Sequence, residues 1–301
     1  MTDGIYGLIP PGLGSPPQEA TQFSPLMPGA AALEDRADRS LDAFTLLAPP
    51  GVLERRYVLA QALRLVKPGG DLLAMAPKDR GGLRLAKELA GFGCAVEQSA
   101  RRHYRLCRVI RPDAPVALDA ATAAGARQVP PTLGLWSQPG VFSWDRLDAG
   151  TSLLIHHLPP LSGAGADFGC GVGVLAQAAL RNASVTKLTL IDLDRRAIEA
   201  ARRNVTDPRA AFAWQDVRVA DQGVRDLDFV VMNPPFHDGG AEDRALGEAF
   251  IRRAAATLRQ DGVCWLVANR HLPYERALKT HFPAARLVEQ ADGYKVYEAR
   301  R

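Results

Sequence analysis

The stretch Asp167-Phe168-Gly169-Cys170-Gly171-Val172-Gly173-Val174-Leu175-Ala176 follows a short apolar run and opens a helical one, so it reads as strand, glycine turn and helix. Glycine at alternate positions lets a backbone approach a ligand closely and lets the helix pack on the strand behind it. Such a turn is the ligand-binding hinge of a Rossmann-like α/β fold, a doubly wound and mostly parallel sheet, and the alternation around it agrees. Strands are expected near 165–168, 187–191, 211–214, 229–232 and 263–268, with two more before the C-terminus. Helices are expected near 174–180, 195–204, 245–258 and 274–280.

The details of the turn choose among nucleotide ligands. A dinucleotide fingerprint wants its third glycine at position 174, which is Val174, and has no acid two residues before its first glycine. Asp167 stands there, and with no pyrophosphate to repel it, it suits the ammonium and sulfonium charges of S-adenosylmethionine. Asp167, Phe168, Gly169, Cys170, Gly171 and Gly173 form the candidate cofactor loop. Beyond it, Asp192, followed by Leu193, ends the next strand, where an acid accepts hydrogen bonds from ribose hydroxyls. Asp194 is expected to cap the following helix. Asp216, followed by Val217, ends a third strand and is placed to accept from an adenine amino group.

Farther along, Asp228-Phe229-Val230-Val231-Met232-Asn233-Pro234-Pro235-Phe236 delivers an amide and two prolines to the end of an apolar strand. Prolines there forfeit ladder hydrogen bonds, so packing alone does not explain them. Chemistry does. An exocyclic amine or a carboxamide nitrogen is a poor nucleophile because its lone pair is delocalised. If the Asn233 side-chain oxygen and the Pro234 carbonyl each accept one N–H, the lone pair is turned toward a methyl donor. Pro235 stiffens the turn, and Phe236 offers a face for a planar group. Asn233 also borders the cofactor. His237 and Asp238 are neighbours in sequence, so they are read as loop residues that shape the pocket, not as a catalytic pair. Phe142-Ser143 and Leu147-Asp148-Ala149-Gly150 are expected to close over the cofactor.

Toward the N-terminus, the pattern Lys67-Pro68-Gly69-Gly70 and 71–76 repeats as Arg259-Gln260-Asp261-Gly262 and 263–268, an offset of 192 residues that Val96-Glu97-Gln98 and Val288-Glu289-Gln290 share. Residues 42–50 echo 228–235, with Ala48 read opposite Asn233. The chain is therefore expected to be a catalytic domain over 136–301, preceded by a smaller degenerate duplicate over 1–111 and a linker over 112–135. Residues 1–30, rich in Gly and Pro, are expected to be irregular and partly mobile.

The net charge of +4 is unevenly spread: residues 1–111 hold 15 Lys+Arg against 11 Asp+Glu, and the rest is balanced. The cluster Arg101, Arg102, His103, Tyr104 and Arg105 makes the first half a candidate phosphate-docking face. A 47% hydrophobic content excludes wholesale disorder, and no apolar run is long enough for a membrane span. Without a signal peptide the expected location is the cytoplasm. The four cysteines have neither zinc nor disulfide spacing, and no metal is expected.

Asp167 to Gly173, Asp192 and Asn233 to Phe236 resemble the class I S-adenosylmethionine-dependent methyltransferases of the small methyltransferase domain group. More narrowly, residues 140–150, 233–239 and 267–274 resemble bacterial 16S ribosomal RNA guanine-N2 methyltransferases of the RsmC type. The resemblance implies that Asp167, Gly169 and Gly171 contact the methionine part of the cofactor and Asp192 its ribose. It also implies that Asn233 and Pro234 hold a guanine amino group while Phe236 stacks; His237, as a pocket residue, is a candidate RNA contact. The implied partner is ribosomal RNA or the small ribosomal subunit, with Arg101, Arg102 and Arg105 docking it, and an internal duplication makes a monomer the expected state. The competing readings are a large-subunit RNA methyltransferase, a protein glutamine N5-methyltransferase, and a non-enzymatic RNA-binding assembly module.

Overall fold

The computed structural model describes residues 2–219, 223–235, 237–238, 241–242 and 244–301, and the chain divides into two compact units, Met1–Arg127 and Gln128–Arg301. The first unit contains β1 (Asp3–Tyr6), β2 (Thr21–Gln22), β3 (Leu41–Leu47), α1 (Val52–Leu65), β4 (Val66–Pro77), α2 (Leu83–Gly91), β5 (Glu97–Arg101), β6 (Tyr104–Ile110) and α3 (Leu118–Gly125). Its sheet runs β2-β1-β3-β4-β6-β5, parallel through β4 and antiparallel beyond. Phe23, Phe44, Leu46, Leu59, Leu63, Leu72 and Leu89 fill its core. Each such buried side chain contributes about 1.5–3 kcal/mol.

Two expectations are corrected here. Residues 1–30 are not irregular throughout: they supply β1 and β2, and Tyr6, Leu13 and Phe23 are buried. Their prolines lie between and after the two strands, where no ladder N–H is needed. Nor is 112–135 a plain linker, because its Ala-rich centre forms α3, with Ala121 and Gly125 buried. Alanine is the best helix former, and Gly125 lets α3 approach α1 where an added Cβ would meet the Tyr57 side chain at 2.3 Å.

The second unit contains α4 (Ala149–His157), β7 (Gly163–Phe168), α5 (Val174–Leu180), β8 (Val185–Asp192), α6 (Arg195–Asn204), β9 (Ala210–Trp214), β10 (Leu227–Met232), β11 (His237–Asp238), β12 (Ala241–Glu242), α7 (Arg244–Thr257), β13 (Leu258–Asn269), α8 (Tyr274–His281), β14 (Ala284–Ala291) and β15 (Tyr294–Arg300). The sheet runs β14-β15-β13-β10-β7-β8-β9, with the five strands from β13 to β9 parallel and β15 antiparallel to both neighbours. Apolar clusters cover both faces, as a doubly wound sheet requires. The winding reverses between β7 and β10, and in such folds ligands bind at the C-terminal strand ends beside that point.

The two sheets share one wiring. In both, the strand before the first long helix pairs with its neighbour through a register shift at the same step, Leu41/Ala43 in β3 and Leu227/Phe229 in β10. Asp42 accepts the Thr2 N–H at 2.7 Å and the Lys67 ammonium at 2.6 Å, and Asp228 accepts the Ala164 N–H at 2.7 Å and the Arg259 guanidinium at 2.6 Å. Gly69 and Gly70 bracket the Arg111 backbone with two hydrogen bonds, as Asp261 and Gly262 bracket Arg301. The register also revises one alignment. Leu46 lies opposite Ala74 as Met232 lies opposite Leu266, so Leu47, not Ala48, holds the place of Asn233. Ile5, opposite Thr45, likewise stands where Asp167 stands opposite Val231.

Candidate active site

The sharp turn after β7 is made by glycines in backbone conformations other residues resist: Gly169, Gly171 and Gly173 have φ of 72°, 52° and 92°. An added Cβ at Gly171 would meet nothing within 4 Å among the described residues, so this glycine faces open space, as a ligand cradle must. Cys170 turns inward, its buried thiol held toward the Gly171 carbonyl at 3.6 Å, and burial pushes it well above the usual thiol range. Phe168 is buried in the core behind the loop.

Asp167 is fully buried at the end of β7, and neither carboxylate oxygen has a hydrogen-bond partner among the described residues. Burial raises its pKa to about 8, the charge of Asp192 adds to the rise, and the Ala176 backbone opposes it. A buried acid without a partner beside an open glycine loop fits a cationic ligand that supplies the missing donor. Asp192 ends β8, with one carboxylate oxygen accepting the Gly171 N–H and the other the Asp194 N–H, both at 2.8 Å. Burial raises its pKa to about 6 despite those bonds. Each oxygen keeps a lone pair for a hydroxyl. Asp194 caps α6 through the Arg196 N–H, as its position suggested.

Beyond Asp192, a recess of about 220 Å³ is lined by Phe168, Ile191, Gln215, Asp216, Val217 and Val219. Val217 is buried there, while the Leu193 carbonyl accepts the Trp214 indole N–H at 2.8 Å. Asp216 lines the recess but shares its carboxylate with a guanidinium. Arg218 engages both its oxygens, at 2.9 and 2.7 Å, and holds its carboxyl below the usual range.

On the other side of the glycine loop lies a cleft of about 450 Å³, walled by Phe142, Ser143, Arg146, Leu147 and Asp148 and floored by Gly169–Gly171 and Asn233. Of the segments expected to close over the cofactor, Phe142, Ser143, Leu147 and Asp148 line this cleft. Asn233 follows β10, and its Nδ2 donates to Asp148 Oδ2 at 2.9 Å and to Thr151 Oγ1 at 3.0 Å. No described residue donates to its Oδ1. Pro234 is buried and Pro235 exposed. Phe236 lies outside the described residues, as do the side chains of His237 and Asp238. Asp148 and Thr151 were not singled out for this contact, because no local pattern joins residues 85 and 82 positions from Asn233.

In the first unit, Arg101 and Arg102 are exposed and Arg105 is part-buried on the β5–β6 hairpin, where Arg102 donates to the Pro11 carbonyl at 2.6 Å. Among the described residues, no group of three or more His, Cys, Asp or Glu is arranged to hold a metal ion. No helix among them is long and apolar enough to cross a membrane.

Comparison with known proteins agrees with this geometry. The family model of the methyltransferase small domain matches residues 132–298. The chain is 35% identical to the ribosomal RNA small subunit methyltransferase C of Pseudomonas aeruginosa (strain LESB58), over 94% of this chain and 86% of the relative. To the protein of the same name from Stutzerimonas stutzeri it is 36% identical over 86% of the chain and 79% of the relative. Among solved structures it resembles the T. thermophilus 16S rRNA N2 G1207 methyltransferase (RsmC) in complex with AdoMet and guanosine, with a TM-score of 0.75 and 27% identity, covering 90% of this chain and 76% of that one. A buried lone acid, a glycine cradle and an amide at the switch point, on a chain of this likeness, identify it as a member of the ribosomal RNA small subunit methyltransferase C family.

Proposed function

We propose that this protein transfers a methyl group from S-adenosylmethionine to the exocyclic N2 amine of a guanine in 16S ribosomal RNA, acting as a monomer in the cytoplasm on RNA or on the small ribosomal subunit. The observation that carries the reading is Asn233, which lines the cleft that the glycine loop floors and whose Nδ2 is taken up by Asp148 and Thr151. The likeness to proteins named for the small-subunit reaction supports the substrate.

The cofactor, when bound, supplies an electrophilic methyl group on a sulfonium. Asp167 holds its ammonium group, Gly169 and Gly171 give its methionine part room, and Asp192 accepts from its ribose. The recess lined by Ile191, Asp216 and Val217 would hold its adenine. Asn233 Oδ1 and the Pro234 carbonyl accept the two N–H bonds of the guanine amine, which turns its lone pair toward the methyl. Phe236 stacks on the guanine ring. No strong base is needed, because the methylated ammonium is acidic enough to release its proton to water. The first unit keeps the sheet but has Ile5 and Leu47 at the decisive places, so it binds no cofactor. Its role is docking: Arg101, Arg102 and Arg105 contact phosphates, which orient RNA without reading its sequence.

The test is methyl transfer from labelled donor to small subunits, large subunits, their free RNAs and a peptide release factor, followed by mass spectrometry of nucleosides and protein. N2-methylguanosine in small-subunit RNA, absent with Asn233→Ala, is the expected result. Label in large-subunit RNA or in protein overturns the substrate assignment, and failure to bind the cofactor overturns the activity. Light scattering of the purified protein checks the monomer.

A further inference from the structure

We infer that Asp148 and Thr151 are positioning residues that fix the orientation of the Asn233 amide, so that only its carbonyl oxygen is presented to the substrate amine. The inference rests on the proposed reaction for its kinetic test and on geometry for its content.

A primary amide has two nearly isosteric ends, and which end faces a substrate decides whether it accepts or donates a hydrogen bond. A side chain that draws an amine into a nucleophilic geometry must accept. Asn233 turned the other way would point N–H bonds at the N–H bonds of the substrate, and the amine would be repelled from the pose. Something must therefore pay the difference between the two orientations. Asp148 supplies most of it: an ionised carboxylate only accepts, and its Oδ2 takes the Asn233 N–H at 2.9 Å while also taking the Thr151 N–H at 2.8 Å. Thr151 Oγ1 takes the second Nδ2 hydrogen at 3.0 Å, so both donors of the amide are spent inward.

The framework that holds Asp148 is rigid. It is the N-cap of α4, and Thr151 lies in the first turn with its side chain buried. Gly150 between them lets the helix start press against the Tyr294 ring, where an added Cβ would sit 2.7 Å from the ring carbons. One helix terminus thus both ends a loop of the cleft and polarises the amide. The negative charge of Asp148 also increases the acceptor strength of Asn233 Oδ1 through the amide π system and opposes the positive charge that grows on the nitrogen as it is methylated.

The test exchanges the two groups. In Asn233→Asp, two carboxylates meet near 3 Å and one must take a proton, so kcat is expected to fall at least 100-fold at pH 7.5 and to recover as the pH is lowered. In the double variant Asn233→Asp/Asp148→Asn, the new amide turns its oxygen to the Thr151 N–H that Asp148 Oδ2 had capped and donates from its NH2 to the new carboxylate, whose outer oxygen still accepts from the substrate. We expect kcat at least tenfold above the single variant, a flat pH profile, and a cofactor Kd within twofold of wild type. Thr151→Val is expected to lower kcat three- to tenfold with little change in KM. Asp148→Ala removes the helix cap as well, so its unfolding temperature is measured beside its activity. A direct readout needs no turnover: in labelled, unliganded protein the Asn233 side-chain NH2 exchanges with solvent at least tenfold faster in Asp148→Ala than in wild type. A double variant that folds, binds cofactor and is no better than Asn233→Asp overturns the inference, as does unchanged NH2 exchange. If the wild type methylates an amine other than guanine N2, the reaction assignment fails while the variant ratios on that amine still decide the role of Asp148.

Discussion

Asp167 carries opposite consequences for the empty and the loaded protein. Its pKa of about 8 lies above the roughly 3.9 of an unfolded aspartate, so the native state holds a proton that the unfolded state has lost. The cost of this is absent below about pH 4, grows as the pH rises, and is complete above about pH 8. Asp167→Asn removes it, and the variant is expected to unfold roughly 2–8 °C higher than wild type at pH 8 without cofactor, with the gap shrinking at pH 5. Cofactor binding needs the charged carboxylate, so near pH 7 it should release about one proton per site, read from the dependence of calorimetric binding heat on buffer ionisation. Asn233→Ala is expected to lower kcat roughly 100-fold or more while leaving cofactor affinity within a few-fold. Both residues were legible in the sequence, because an acid before a glycine turn and an amide before two prolines have local signatures. Their partners were not. Asp148 meets Asn233 only after the sheet has formed, and the Arg218 that occupies Asp216 sits two residues away, a distance at which sequence offers no reason to pair them.

At the scale of elements, close approach sets the limits. Gly165 in β7 lies beneath the Phe229 ring of β10, where an added Cβ would fall 2.2 Å from the ring. Gly165→Ala is expected to cost roughly 1–3 kcal/mol, seen as a lower midpoint in urea unfolding. Asp228→Ala should cost about 1 kcal/mol, because the Ala164 N–H loses its acceptor at the opposite end of the sheet from the cleft, and it should leave cofactor affinity unchanged. In the second unit α5 and α6 fall where their apolar spacing put them and β10 begins two residues early, whereas β13 begins five residues early, through the stretch read as a turn, and α4 was not expected at all. β1 and β2 escaped because they span four and two residues in a Pro-rich stretch, and they form only by parallel pairing, β1 with distant β3 and β2 with β1, a tertiary effect. α3 escaped because alanine-rich sequence serves linkers and helices alike.

For the whole molecule, the docking role assigned to the first unit predicts how binding responds to salt. Reversing Arg101, Arg102 and Arg105 to Glu should weaken RNA binding, reduce the slope of log affinity against log salt by about 2–3, and leave cofactor affinity unchanged. Filter binding over a range of salt concentrations checks it. The duplication was visible in sequence as a single offset, but its true extent was not, since Gly165 answers to Asp3 and Met232 to Leu46 at different spacings; insertions between strands hide a repeat that hydrogen bonds preserve. Asp42 with Thr2 and Lys67, and Asp228 with Ala164 and Arg259, are the same small lock in two rooms of one house. On the proposed reading one copy kept its chemistry and the other lost it, yet both keep the lock. On that reading the pair is a ready-made control: a contact both halves share is expected to matter for folding alone, and one that only the second half owns is expected to matter for catalysis.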